Sequence, residues 1–266
     1  MPKKKYFRKP HRIKKKKSIF KSRFFWLAIL VLVTVSGFFY LISFSPFFQI
    51  TEIKIKGNEK ISDQEIKAII YPYTKKQIAF WKTRSIFLAD LKEIRKTLLN
   101  EFLKIDQIEL KRDFPRTLII SIKEKKPIAI FYHQGRKFFI DKEGIVFEEL
   151  KEQKNGYLQI ESLIFKGEIK LGKQAFKKEK IQQILESKER LNQKNIQITK
   201  AVIVSKERLN VKTIENWEIY FNLRKDIVRQ IFNLGIVLQE KIPLEKRKDL
   251  KYIDLRFDKI FIYPEF

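Results

Sequence analysis

Few residues in this sequence have the types and spacing for chemistry. It holds two histidines, His11 and His133, and no cysteine. Without cysteine there are no disulfides, cysteine zinc sites, iron–sulfur clusters or thiol nucleophiles. A Ser-His-Asp arrangement needs a histidine between a hydroxyl and an acid. His11 lies in a basic tract, which leaves His133, and its place at the end of a strand-like run just before Gln134-Gly135 reads as a structural histidine. Two histidines cannot build a His-rich metal site. The G-x-S-x-G, H-E-x-x-H and P-loop patterns are absent. Glu148-Glu149 and Asp141/Glu143 are acids of the kind a glycosidase pairs, but they fall in turn-like polar stretches and read as solvated loop acids. Asp254 and Arg256, two apart on a strand, share a face and read as an ion pair. The expectation is a protein with no catalytic site, no metal and no cofactor.

Recognition is left, and charge and hydropathy say where it would occur. Lys and Arg number 58 against 31 acids, a formal charge of +27. Residues 1–23 carry twelve of those cations and no acid, a composition that cannot bury a core and predicts a disordered arm. Phe24 to Phe44 follows, 21 residues without a charge, or about 31 Å as a helix, close to the hydrocarbon thickness of a bilayer. Trp26 and Tyr40 suit its two interfaces, and the basic block places the N-terminus in the cytoplasm and the C-terminal mass outside. The run is too long for a signal-peptide core and no A-x-A-like site follows, so an uncleaved anchor is expected. The arm then orients the anchor and touches anionic lipid. No helix-turn-helix or zinc pattern accompanies it, and nucleic acid is not an expected partner.

Beyond the anchor, Phe48 to Lys56 alternates as a half-buried strand. Ser62-Asp63-Gln64-Glu65 is a capping box opening a helix with Ile66, Ile69, Ile70 and Tyr73 on one face, ended early by Pro72. Leu88, Leu91, Ile94 and Leu98 mark a second helix, with Asp90 and Glu93 in its early turns. Strands around Ile108–Leu110 and Leu118–Ile122 flank the turn at Arg112-Asp113-Phe114-Pro115. The order strand, helix, helix, strand, strand makes a compact α+β unit.

After Pro127 the sequence predicts strands at Ile128–Phe131, Lys137–Ile140 and Ile145–Phe147. Residues 149–173 carry no clear pattern. A helix over Ala175–Asn192 follows, then strands at Ala201–Val204, Leu209–Thr213 and Trp217–Phe221. A helix through Ile227–Leu238 closed by Pro243, and strands at Tyr252–Leu255 and Ile260–Tyr263, complete a second, mostly antiparallel α+β region. The fold class is α+β: tail 1–23, membrane helix 24–44, a first domain over 47–125 and a second over 126–266.

Three stretches resemble the FtsQ/DivIB family of bacterial cell-division proteins. The first is Lys111-Arg112-Asp113-Phe114-Pro115-Arg116-Thr117-Leu118-Ile119-Ile120 with Glu124 and Pro127-Ile128-Ala129. The second is Phe138-Phe139-Ile140-Asp141 with Gly144-Ile145-Val146-Phe147. The third is Tyr252-Ile253-Asp254-Leu255-Arg256-Phe257-Asp258. Asn216-Trp217-Glu218-Ile219 also resembles the family's Gly-Trp segment, with Asn in place of Gly. The resemblance covers nearly the whole chain. It implies a POTRA-like first domain and a non-catalytic scaffold at the division septum. It also implies FtsB/DivIC-like and FtsL-like bitopic partners and, through them, the septal peptidoglycan synthase.

In that family the FtsB/DivIC partner pairs with the region just after the D-L-R motif, which here includes Arg256, Phe257, Lys259, Ile260 and Phe261. Lys206 and Arg208 precede a strand of the same domain and could meet partner acids. Phe257 and Phe261 are open to two readings, interface anchors or inward-facing core residues. Two rival functions share features of this sequence: a membrane-anchored POTRA module in protein transport or envelope assembly, and an envelope peptidoglycan hydrolase. The first would bring repeated POTRA units or a barrel, and neither is visible.

Overall fold

The computed structural model describes residues 22–152 and 154–265; the basic-arm reading falls mostly on residues 1–21, outside that range. Helix α1 (Arg23–Phe44) has apolar side chains exposed on every face and is long and apolar enough to cross a membrane. The described residues form two compact units, one of 22–55, 64–94 and 110–120, the other of 56–63, 95–109 and the remainder from 121.

A three-stranded sheet has the order β1-β5-β4, with β1 (Glu52–Lys56), β4 (Ile105–Asp113) and β5 (Thr117–Glu124). The two expected helices are α2 (Asp63–Ile70) and α3 (Leu91–Glu101). Ile66 and Ile70 are buried one turn apart on α2, and Ile94 on α3. Asp90 caps α3, its Oδ1 accepting from the Lys92 and Glu93 N–H groups at 3.1 Å each. Pro72 ends α2, and Tyr71–Thr74 continue as a 3-10 turn.

Two local features depart from the sequence expectation. The first strand begins at Glu52, because Pro46–Phe48 form a 3-10 turn with proline at its start. Gln49 joins no strand, and its backbone pairs with Ser85 through an isolated bridge. Between α2 and α3 lies an unanticipated hairpin, β2 (Lys76–Ile78) paired with β3 (Trp81–Thr83). Its two-residue tip, Ala79-Phe80, uses a left-handed Ala79 at φ 50° rather than the usual Asn-Gly, so no turn signal marked it.

The second unit carries a nine-stranded sheet. Its strands are β6 (Ala129–His133), β7 (Arg136–Ile140), β8 (Val146–Leu150), β9 (Leu158–Ser162), β10 (Ile198–Ile203), β11 (Arg208–Thr213), β12 (Glu218–Asn222), β13 (Tyr252–Asp254) and β14 (Phe261–Tyr263). Their spatial order is β14-β13-β12-β11-β10-β9-β6-β7-β8. Five of the eight joints are antiparallel and three are parallel, β6 to β9, β9 to β10 and β12 to β13. A parallel joint between consecutive strands needs a long crossover. Two crossovers supply the helices, α4 (Lys178–Gln193) between β9 and β10 and α5 (Ile227–Glu240) between β12 and β13.

The helices bury Ile181, Ile184 and Leu191 of α4 and Ile231, Leu234 and Leu238 of α5 in one apolar cluster with Phe131, Phe138, Trp217 and Phe221 of the sheet region. Strand β9 lies inside the patternless 149–173 stretch. It contributes only Leu158 and Ile160 to the core, too short an alternation to stand out between polar neighbours.

Candidate partner-binding site

The acids that could have done chemistry are engaged in structure. Lys104 Nζ lies 2.9 Å from Glu148. Arg136 grips both oxygens of Glu149, at 2.8 and 2.6 Å. That hydrogen bond holds the Glu149 carboxyl below its usual range, whereas a general acid at neutral pH needs the opposite. Asp141 pairs with Lys125 at 2.9 Å and accepts from the Glu143 and Ile145 N–H groups at 3.0 Å each, which shapes the β7–β8 turn. Lys178 sits 2.9 Å from Glu143. His133 stacks on Phe131 and meets the edge of Phe165. Among the described residues no three His, Cys, Asp or Glu side chains converge to hold a metal.

The motif residues of the first unit are structural too. Arg112 donates from Nε to the Ile86 carbonyl at 2.7 Å and from Nη2 to the Ala89 carbonyl at 2.9 Å, pinning the loop that leads into α3.

The outer end of the nine-stranded sheet is different in kind. Strand β14 is its last strand, and a sheet's last strand presents unpaired main-chain groups. Which groups are free follows from the ladder. Glu218 N–H donates to Lys251 O and Leu255 N–H donates to Tyr220 O, so Ile253 between them serves β12, while the Lys251 N–H crosses to the Tyr263 carbonyl of β14 at 2.8 Å. Tyr252 and Asp254 therefore turn toward β14, opposite Tyr263 and Phe261. Pro264 has no N–H to offer the alternative pattern. Ile262 between them directs its N–H and C=O to the outer edge.

Side chains at this edge are also exposed. Phe257 and Phe261 are 54% and 45% accessible, their rings edge to face with centroids 5.9 Å apart. Tyr220, Tyr252 and Tyr263 stack in a row across β12, β13 and β14, with centroids 4.9 and 5.5 Å apart. Arg208 and Arg256 both cover the Tyr220 ring, at 4.6 and 5.7 Å. Burial, then the charge and hydrogen bond of Glu218, raise the Tyr220 phenol, which stays neutral. Beside Phe257 opens a groove of about 440 Å³ lined by Arg229, Asn233, Leu255 and Ile260 among others. Lys225 and Asp258 close on each other there at 2.7 Å.

Two matches decide what kind of chain this is. Residues 48–125 match the FtsQ-type POTRA domain, and residues 129–256 match the C-terminal domain of cell division protein FtsQ/DivIB. The chain belongs to the FtsQ/DivIB family. It is 31% identical over 148 residues to "Cell division protein DivIB" of Clostridium botulinum strain Loch Maree, covering 54% of this chain and 51% of the relative. The same values hold for the protein of that name from strain Hall. It is 30% identical over 97 residues to "Cell division protein FtsQ" of Rickettsia bellii, covering 36% and 33%. These matches span about half or less of the relatives' length.

In this FtsQ/DivIB-family chain the residues picked from sequence separate into two groups. Arg256, Phe257, Lys259, Ile260 and Phe261 lie on β14 or the bend before it, next to the groove. Lys259 reaches over Phe261 at 5.7 Å. Ile260 is half-buried against the core, and Phe257 and Phe261 are not core residues. Arg208 lies three strands inward but meets Arg256 on Tyr220. Lys206 is exposed in the turn before β11, its carbonyl accepting from Lys180 Nζ at 2.9 Å. The sequence reading missed the tyrosine row, since Tyr220, Tyr252 and Tyr263 come together only through strand order. The signal available was that each sits at an alternate position of a predicted strand.

Proposed function

We propose that this chain is a non-catalytic, membrane-anchored scaffold of the division machinery. It holds FtsB/DivIC-like and FtsL-like partners at the septum and, through them, the septal peptidoglycan synthase. In this reading residues 1–23 are cytoplasmic, α1 spans the membrane, and a POTRA domain over 47–125 and a C-terminal domain over 126–266 stand outside. The anchor confines the domains to a plane and raises their effective concentration toward other anchored proteins.

The observation that carries the reading is the open β14 edge, where Ile262 offers an outward N–H and C=O between two exposed aromatic side chains. Such an edge accepts an added strand, with main-chain hydrogen bonds giving affinity and side chains giving selectivity. Arg256, Phe257, Lys259, Ile260 and Phe261 form the contact surface, and Arg208 and Lys206 meet acids of the partner.

Co-purification from its own cells tests the reading. The tagged full chain should bring down the two bitopic proteins, and a Phe257→Ser/Phe261→Ser variant should lose them while remaining folded in the membrane. Equal recovery with both chains would remove this edge from the site. Glycan cleavage by the purified chain would favour the hydrolase reading instead.

A further inference from the structure

The end of α1 is locked into its own unit. Its last carbonyls need partners from outside the helix. The Ile42 carbonyl accepts from Ser85 Oγ at 2.7 Å. The Ser43 carbonyl accepts from Gln49 Nε2 at 3.1 Å and from Thr83 Oγ1. Gln49 Oε1 in turn accepts from the Arg84 N–H at 2.6 Å. Ser43, Thr83 and Ser85 are buried. The β2–β3 hairpin is thus fixed to the helix terminus by hydrogen bonds from Thr83 at the end of β3, from Ser85 just after it, and through Gln49 from the Arg84 N–H.

That attachment sets a depth. Phe44 is the last residue of the span, and the Trp81 ring meets the Phe44 ring with centroids 6.1 Å apart. The headgroup layer is roughly 5–8 Å thick on each side of the hydrocarbon, so Trp81 falls within it. At the hairpin tip Phe80 is 92% exposed and Trp81 65%. A further row of rings, Phe47, Phe48, Phe87 and Phe114, starts just past the helix, with successive centroids 5.0, 5.2 and 5.1 Å apart. Nothing inside the unit covers the tip, and water is a poor neighbour for such a patch.

Charge completes the pattern. Residues 66–89 contain five cations, Lys67, Lys75, Lys76, Lys82 and Arg84, and no acid. Lys75 and Arg84 lie over Tyr71 at 4.4 and 4.7 Å, and Arg84 Nε is buried without a hydrogen-bond partner.

We propose that the β2–β3 hairpin is a second membrane contact. In it, Phe80 and Trp81 enter the outer headgroup layer, and Lys75, Lys76, Lys82 and Arg84 meet anionic lipid headgroups. The proposal rests on α1 spanning the membrane. Its consequence is that the first unit is held at a fixed tilt on the bilayer rather than swinging on its anchor. Aromatic rings belong at this depth, and clustered cations are drawn to anionic lipid.

The absence of cysteine makes the test clean. Ala79→Cys and Gly37→Cys are introduced separately into the full chain, labelled with an environment-sensitive fluorophore and reconstituted in mixed phosphatidylcholine and phosphatidylglycerol vesicles. Gly37 lies mid-helix with nothing near its Cβ position. Its label should be quenched by lipids carrying a deep nitroxide. The Ala79 label should be blue-shifted and quenched by shallow-nitroxide lipid rather than by aqueous iodide. Adding Phe80→Glu should return it to iodide. A Gly37 label in lipid with an Ala79 label open to iodide overturns the hairpin contact and leaves the anchor standing. A Gly37 label outside lipid overturns both. Equal shallow quenching in phosphatidylcholine alone overturns the role given to the cations.

Discussion

Arg256 holds Asp254 in a two-pronged ion pair, Nη2 to Oδ2 at 2.6 Å and Nε to Oδ1 at 2.9 Å, and its own N–H adds a bond to Oδ1 at 3.0 Å. Asp254 is buried, so the pair fixes the turn of chain that leaves β13 toward the groove. Arg256→Ala strands a buried carboxylate and should cost roughly 1–3 kcal/mol of stability, since an unmatched buried acceptor keeps its desolvation penalty. Arg256→Lys retains the charge without the fork and should lose less. Thermal unfolding of the outer region ranks the three proteins.

Phe257 predicts the reverse separation. With its ring more than half exposed, Phe257→Ala should leave the melting temperature nearly unchanged. As an interface anchor it should weaken partner binding by about 2 kcal/mol or more. Calorimetry with the partner's outer segment reads this directly, and unchanged affinity in the folded variant removes Phe257 from the site.

Glu124 shows why an acid stands at that point of the first motif. Its Oε1 accepts from the N–H groups of Glu59 and Lys60 at 2.8 Å and of Ile61 at 3.2 Å. Burial pushes the carboxyl up, but the three N–H donors and the Lys60 charge together outweigh it and leave the pKa lowered. A lowered folded-state pKa stabilises above the ordinary glutamate value and is lost as pH falls through the folded one. Glu124→Gln should therefore cost about 1 kcal/mol at neutral pH. The gap to the parent should shrink below pH of about 4.3. Urea midpoints at a series of pH values check the sign.

Gly144 sits in the β7–β8 turn at φ 77°, where a Cβ would strike the Phe176 carbonyl. Both the backbone angle and the collision penalise any side chain. Gly144→Ala should destabilise by roughly 2 kcal/mol or more. Gly135→Ala, with a similar angle but open space around it, should cost less. Denaturant unfolding of the two variants separates strain from collision.

Much of the fold was legible because local rules agreed with it. The acid expected at the start of α3, Asp90, which caps that helix in the structure, the helix stop at Pro72 and the Gln134-Gly135 turn act within a few residues. What escaped the sequence depended on distant partners. Strand β9 is central only because β6 and β10 flank it. The β2–β3 hairpin turns on an alanine. Of the candidate site, Arg256, Phe257 and Phe261 were proposed through motif resemblance, while their exposure was not readable. Alternation alone assigns a large aromatic to a face, and only strand order decides whether that face is covered. Tyr220, Tyr252 and Tyr263 align across three strands, a relation no single segment encodes.

The central claim is that a partner strand adds to β14, and amide hydrogen exchange at Ile262 tests it most directly. Ile262 N–H points outward, whereas the Phe261 and Tyr263 N–H groups are already turned to β13. On saturation with an FtsB/DivIC-like partner segment, the account predicts that the Ile262 amide becomes strongly protected while the amides on either side change little. Binding of the partner with the Ile262 amide exchanging as fast as in the free protein would contradict it.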